Sequence, residues 1–409
     1  MRNLTSATFV ALTATALMSL FTSCDKNEVN PTGENGEDLT LLQGEQLKDV
    51  TLKAGKTYQI TGGYSVKAGA TLHIEAGVTI EAIDDDIVDY ILIEQGAKIN
   101  AIGTAENPIV MTAERKESGS WGGIHICGKA PINVTDAKSE IGDANYGGTV
   151  ANDNSGTLKY IRIEYAGYAF SEEKEANGFT FYGVGSGTVA EYLQAYKGSD
   201  DGFEWFGGTL NAKYLVSTSN SDDSFDWTEG WNGKGQFWVA MQENKATLGY
   251  DCDCLIEADN NSKNNAITPA SHPTLANLTL VGNNSEENKR GMRLRAGTRA
   301  NIHNVLITGK ANNLTVETKE TENALLDGTS MLSYINIAGQ FSSKENIYTV
   351  DKFLTPANNN LTDQTIALTS NYIGTVDGGK DLSQDAFFTK ATYKGAVPAN
   401  NDWTKGWTK

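Results

Sequence analysis

Five absences narrow the reading of this 409-residue chain. Cysteine is scarce, at four residues. If Cys24 is spent on an anchor, Cys127, Cys252 and Cys254 remain, an odd set for a disulfide framework that leaves room for one pair at most, such as Cys127 with either of the others. Basic residues are outnumbered, 33 against 51 acidic, for a net charge of −18. That balance disfavours nucleic acid and anionic lipid as partners and favours cations and neutral or cationic ligands. Beyond the first two dozen residues no apolar run is long enough to span a bilayer. A repeating helical face is missing too, and no Ser/His/Asp arrangement supports nucleophilic hydrolysis.

What is present is a sentence of sequence written more than once. Asp200-Asp201-Gly202-Phe203-Glu204-Trp205 returns as Asp222-Asp223-Ser224-Phe225-Asp226-Trp227, 22 residues later. Asn177-Gly178-Phe179-Thr180-Phe181 precedes it by 24 residues, and Cys254-Leu255-Ile256-Glu257-Ala258 and Arg290-Gly291-Met292-Arg293-Leu294 follow with longer spacers. Between these units lie second strand-like runs, such as Thr157 to Ile163 and Thr209 to Val216, bounded by Gly, Asn, Asp and Ser. A period in the low twenties leaves no room for a crossover helix. The pattern therefore predicts an all-β chain, a single parallel β-helix (solenoid) with surface loop insertions and a C-terminal cap.

Coils of such a solenoid stack about 4.8 Å apart, and side chains alternate between the two faces of each strand. Phe203 and Trp205 then share the core face with Phe225/Trp227, Ile256/Ala258 and Met292/Leu294. Facing outward is a row of His125, Thr180, Glu204, Asp226, Glu257 and Arg293. Unit charges at that spacing repel by roughly 3 to 4 kcal/mol per pair at an effective dielectric near 20. A stack of three carboxylates consequently calls for a bound cation, shared protons, or neutralisation by Arg293. Calcium suits Glu204, Asp226 and Glu257, because it takes about six to eight oxygens in forgiving geometry. Asp200, Asp201, Asp222, Asp223 and Asp253 sit at the leading turn, as further ligand-binding groups or simply as turn formers. The same row can be read as catalytic, with Glu204, Asp226, Glu257 and Arg293 serving a calcium-assisted polysaccharide lyase or a glycosidase. The plainer reading is a solvated acidic face. Trp231, Trp121 and Tyr168 fall in turns and are the aromatic candidates for stacking a sugar, Trp231 foremost. His125 reads as a satisfied residue, not a base.

The ends of the chain carry other signals. Met1-Arg2-Asn3 leads into an apolar run closing on Leu20-Phe21-Thr22-Ser23-Cys24, which looks like a bacterial lipoprotein signal over 1–23 with Cys24 as the lipidated residue. An acidic, aperiodic tether over 24–43 precedes a β-helix over 44–310, and terminal rungs with a cap fill 311–409. Trp403 and Trp407 are expected to seal the last coil, where strand edges would otherwise stand open. Insertions after Lys129, Met241, Asn260 and Asn283 fall at turns and can wall a cleft over the row. Asp84-Asp85-Asp86 reads as a solvated loop.

Several strings, among them Gly103-Thr104-Ala105-Glu106-Asn107-Pro108, Trp121-Gly122-Gly123-Ile124, Asp201 to Thr209 and Asp402-Trp403-Thr404-Lys405-Gly406-Trp407, resemble a widespread family of Gram-negative secreted and surface lipoproteins. That family is similar in architecture to the pectin-lyase-like right-handed β-helices. The resemblance implies the fold and a cell-envelope location, at the outer membrane on its surface or periplasmic face. It implies no activity and transfers no catalytic residue. The function expected is a lipid-anchored binding module for a glycan or other nutrient, serving an outer-membrane transporter. A lyase or glycosidase is the alternative, and a structural or adhesive solenoid a further one.

Overall fold

The computed structural model describes residues 40–171 and 174–409. The signal stretch, Cys24 and nearly all of the tether lie outside the described residues. Within them, twenty-three strands join in one sheet whose pairings are parallel and link non-consecutive strands, the connectivity of a right-handed parallel β-helix.

Two walls of the solenoid carry the repeated runs. The shorter passes through Ile124–Cys127, Phe179–Tyr182, Phe203–Phe206, Phe225–Thr228, Ile256–Ala258, Arg290–Leu294 and Asn312–Val316, one strand per coil. The longer passes through Gly156–Glu164, Val189–Tyr196, Asn211–Thr218, Lys234–Met241, Thr274–Val281, Asn301–Thr308 and Met331–Ile337. Phe179, Phe203 and Phe225 stack down the interior at 5.0 and 5.4 Å between ring centroids, and Trp205 lies parallel to Trp238 at 5.1 Å. All are fully buried. Stacked aromatic rings of this size carry much of the apolar burial that holds one coil on the next.

The longer wall is bent along its whole length by one column of residues with left-handed backbone: Tyr160, Tyr192, Tyr214, Phe237, Asn277, Asn304 and Tyr334, φ 51° to 61°. Each is skipped in the pairing register of its strand. Such backbone costs about 1 to 2 kcal/mol for a residue with a side chain. The cost is offset by contacts the column makes outside the wall: Tyr160, Tyr192 and Tyr214 stack at 4.3 Å steps, and Phe237 follows at 5.1 Å.

The C-terminal third departs from expectation. The last coil is covered by residues 341–361, where Phe341 stacks on Phe353 at 4.5 Å and the Asn360 side chain bonds the Leu332 carbonyl and the Ile335 amide. Trp403 and Trp407 do not seal that end. The chain turns back and lies along the outside of the longer wall, so that Trp407 meets Tyr160 and Tyr192, and Trp403 meets Tyr214. Arg162 donates to the Trp407 carbonyl, and Gln194 pairs with the Lys409 backbone. The aromatic column draws the two tryptophans to the side of the solenoid because it offers more apolar contact than a strand edge does.

Candidate functional site

The repeated units place their outward residues in strict register: Thr180 beside Glu204, Glu204 beside Asp226, Asp226 beside Glu257, and Glu257 beside Arg293. Preceding them, three turn residues build a ladder of their own. Asn177 Oδ1 accepts the Asp201 amide, Asp201 Oδ1 accepts the Asp223 amide at 2.8 Å, and Asp223 Oδ1 accepts the Cys254 amide at 2.7 Å. Each rung thus spends one side-chain oxygen on the next coil. Asn177 also donates to Glu204 Oε2 at 2.6 Å.

The result is a cavity of about 350 Å³ lined by Glu140, Glu175, Asp200, Asp201, Glu204, Asp222, Asp223, Asp226, Asp253 and Glu257, with Asn177, Arg290 and Arg293 as the remaining lining residues. Glu140 comes from the insertion after Lys129, and Glu175 from the short hairpin Ala169–Ser171 and Lys174–Glu175.

Among the described residues, arginine compensates charge at one end of the row only. Glu257 is gripped by Arg293 at 2.8 Å and by Arg295. Arg293 continues to Glu317 at 3.1 Å, Arg295 reaches Asp259 at 2.7 Å, and Arg290 pairs with Asp253. Upstream, Asp201, Glu204 and Asp226 bring one oxygen each within 4.8 Å of one another, and Asp226 Oδ1 is buried with no hydrogen-bond partner among the described residues. Burial, with Asp223 and Glu257 nearby, holds the Asp226 carboxyl well above the usual carboxylate range; Glu204 is raised by burial and by Glu140 and Asp226. Asp200 is pushed up to about 8, first by burial and then by Glu175 and Asp222. Three further groups have the same 4.8 Å closeness: Glu175/Asp200/Asp222, Asp201/Asp222/Asp223 and Asp223/Cys254/Glu257. A cation settled on the first triad would be held by oxygens of Asp201, Glu204 and Asp226. Glu257, expected as the third calcium ligand, instead has both oxygens engaged by arginine, which moves the uncompensated charge one coil upstream.

Other candidates fall elsewhere. Trp231 is fully buried, 4.8 Å from Trp205, and donates to the Leu210 carbonyl, so it offers no face to a ligand. It turns inward because the interior there is already an aromatic stack that a further ring extends. Trp121 is likewise buried, bonded to the Glu164 carbonyl, and Tyr168 is half-buried. His125 is enclosed beside Tyr182, and burial lowers its pKa to about 4, which leaves it neutral. Cys127, Cys252 and Cys254 are buried free thiols; burial raises the first two to about 12. Sequence alone does not single out Asn177, Glu140, Glu175, Arg290 or Arg295 as site residues. Asn177 carries a signal, since it aligns with Asp201 and Asp223 in the repeat; the two insertion carboxylates carry none.

Fold and cleft together define a right-handed parallel β-helix with an acidic trough on one wall. The chain belongs to the pectate-lyase-like beta helix domain family, whose model matches residues 44–408. Comparison with curated proteins and with solved structures gave no match.

Proposed function

We propose that the protein is a binding module of the cell envelope, anchored by lipid at Cys24, that captures a glycan or other nutrient through calcium held in the acidic trough. The observation that carries this reading is the closeness of Asp201, Glu204 and Asp226, one oxygen each within 4.8 Å of the others, together with a buried Asp226 oxygen that has no hydrogen-bond partner among the described residues. Like charges so placed demand either protons or a hard cation, and oxygen-only donors suit calcium. A bound calcium then exposes coordination positions to hydroxyls or carboxylates of a ligand.

Turnover is the second reading. Asp200, with a pKa of about 8, would remain protonated as a general acid near neutrality. Against it, Arg290 and Arg293, the arginines lining the trough among the described residues, are both committed to carboxylates. A glycan array probed with calcium and with chelator, run beside a product assay on the same glycans, separates the two. Calcium-dependent retention without product supports the module; product formation abolished by Glu204→Gln overturns it in favour of an enzyme.

A further inference from the structure

Away from the trough, one buried pair is chemically out of place. Lys394, on the returning strand Tyr393–Val397, is 6% exposed, and its Nζ lies 2.8 Å from Oδ1 of Asn336, itself 4% exposed, on the last strand of the longer wall. Among the described residues no carboxylate acts on this amine, and burial alone shifts it. A charged ammonium taken from water without a counter-ion is costly, and an amide oxygen compensates little of that cost. The other enclosed lysine, Lys310, is treated differently: two carbonyls accept from it, and Asp251 and Asp253 act on it.

We propose that Lys394 and Asn336 join in an intramolecular isopeptide bond that fastens the returning C-terminal segment to the solenoid. In the reaction the Nζ lone pair attacks Cγ of Asn336 and a C–N bond forms. The bond from Cγ to Nδ2 breaks, a proton of the amine passes to the leaving nitrogen, and one ammonia departs. Electrons balance without oxidant or cofactor. Two features favour the step. The reactants are held in contact by the fold, which replaces a bimolecular encounter with an intramolecular one. Burial also lowers the pKa of Lys394, which raises the share of neutral, nucleophilic amine. The product is an uncharged amide, and the unpaired charge disappears with it. This inference is independent of any cation in the trough.

The test is peptide mapping of the full-length protein by mass spectrometry after denaturation and proteolysis. The expected result is a branched peptide containing both Asn336 and Lys394, lighter by one ammonia than the two linear peptides together, and absent from Lys394→Met and Asn336→Ala. Recovery of only the two linear peptides from folded wild-type protein would overturn the proposal. A second readout needs no variant: cleavage in the loop between residues 378 and 390 should leave the C-terminal fragment attached under denaturing electrophoresis, and its release contradicts the bond.

Discussion

At the scale of single residues, the electrostatics turn on Asp226. Its Oδ1 has no donor among the described residues, while Asp223 and Glu257 crowd it. Asp226→Asn keeps the shape and removes the need to take up a proton on folding, so the metal-free protein near neutral pH should gain on the order of 1 kcal/mol, read as a higher melting temperature. The same variant should lose any stabilisation by calcium. A loss of stability in the chelated variant would mean that Asp226 makes a favourable contact that the geometry does not contain. Trp205 is the opposite case. It is enclosed between Phe203, Trp231 and Trp238, and Trp205→Ala should cost about 3 to 5 kcal/mol in denaturant unfolding. Sequence parity is enough to send Trp205 inward, because Phe203, Phe225 and Ile256 repeat on the same face. For Trp231, outside any strand, parity has nothing to say, and the neighbouring stack decides its direction.

At the scale of elements, the repeat makes the register of the shorter wall legible: Glu204, Asp226, Glu257 and Arg293 are adjacent because each repeated unit returns to the same wall. What the period does not convey is pairing across coils by residues outside the repeated string. Arg295 and Glu317 determine which carboxylates of the row stay uncompensated, and their side chains arrive from the following turn and from the next coil. Glu140 and Glu175 enter from aperiodic insertions, so no alignment of repeats places them. The C-terminal segment departs from its sequence pattern for a related reason. Its tryptophans need an apolar partner, and the left-handed column of Tyr160, Tyr192 and Tyr214 supplies one only once the coils are stacked. Deleting residues 380–409 should therefore uncover that column, lower the melting temperature and raise the fluorescence of an apolar dye. An unchanged dye signal would show that the segment contributes little to covering the wall.

At the scale of the whole molecule, the acidic trough makes stability depend on pH in a definite sense. Asp200, Asp201, Glu204, Asp223 and Asp226 have folded-state pKa values raised above those of the unfolded chain. The folded state therefore binds more protons. Their contribution is complete below about pH 4 and is lost as pH climbs through the raised values, near 8 for Asp200. Melting of chelated protein followed from pH 5 to 9 should fall steadily across that range, apart from the smaller contribution of paired carboxylates such as Glu164 and Glu317, which acts in the other direction at low pH. Calcium competes with those protons, so its stabilising effect should grow as pH rises.

That competition supplies the most direct measurement. Protein stripped with chelator is melted at pH 8 with and without millimolar calcium, beside Asp226→Asn under the same conditions. With a cation site built on Asp201, Glu204 and Asp226, the wild type should show a saturable rise in melting temperature and the variant none. A wild-type melting temperature that does not respond to calcium would contradict a calcium site in the trough, and a rise of equal size in both proteins would contradict one built on Asp201, Glu204 and Asp226.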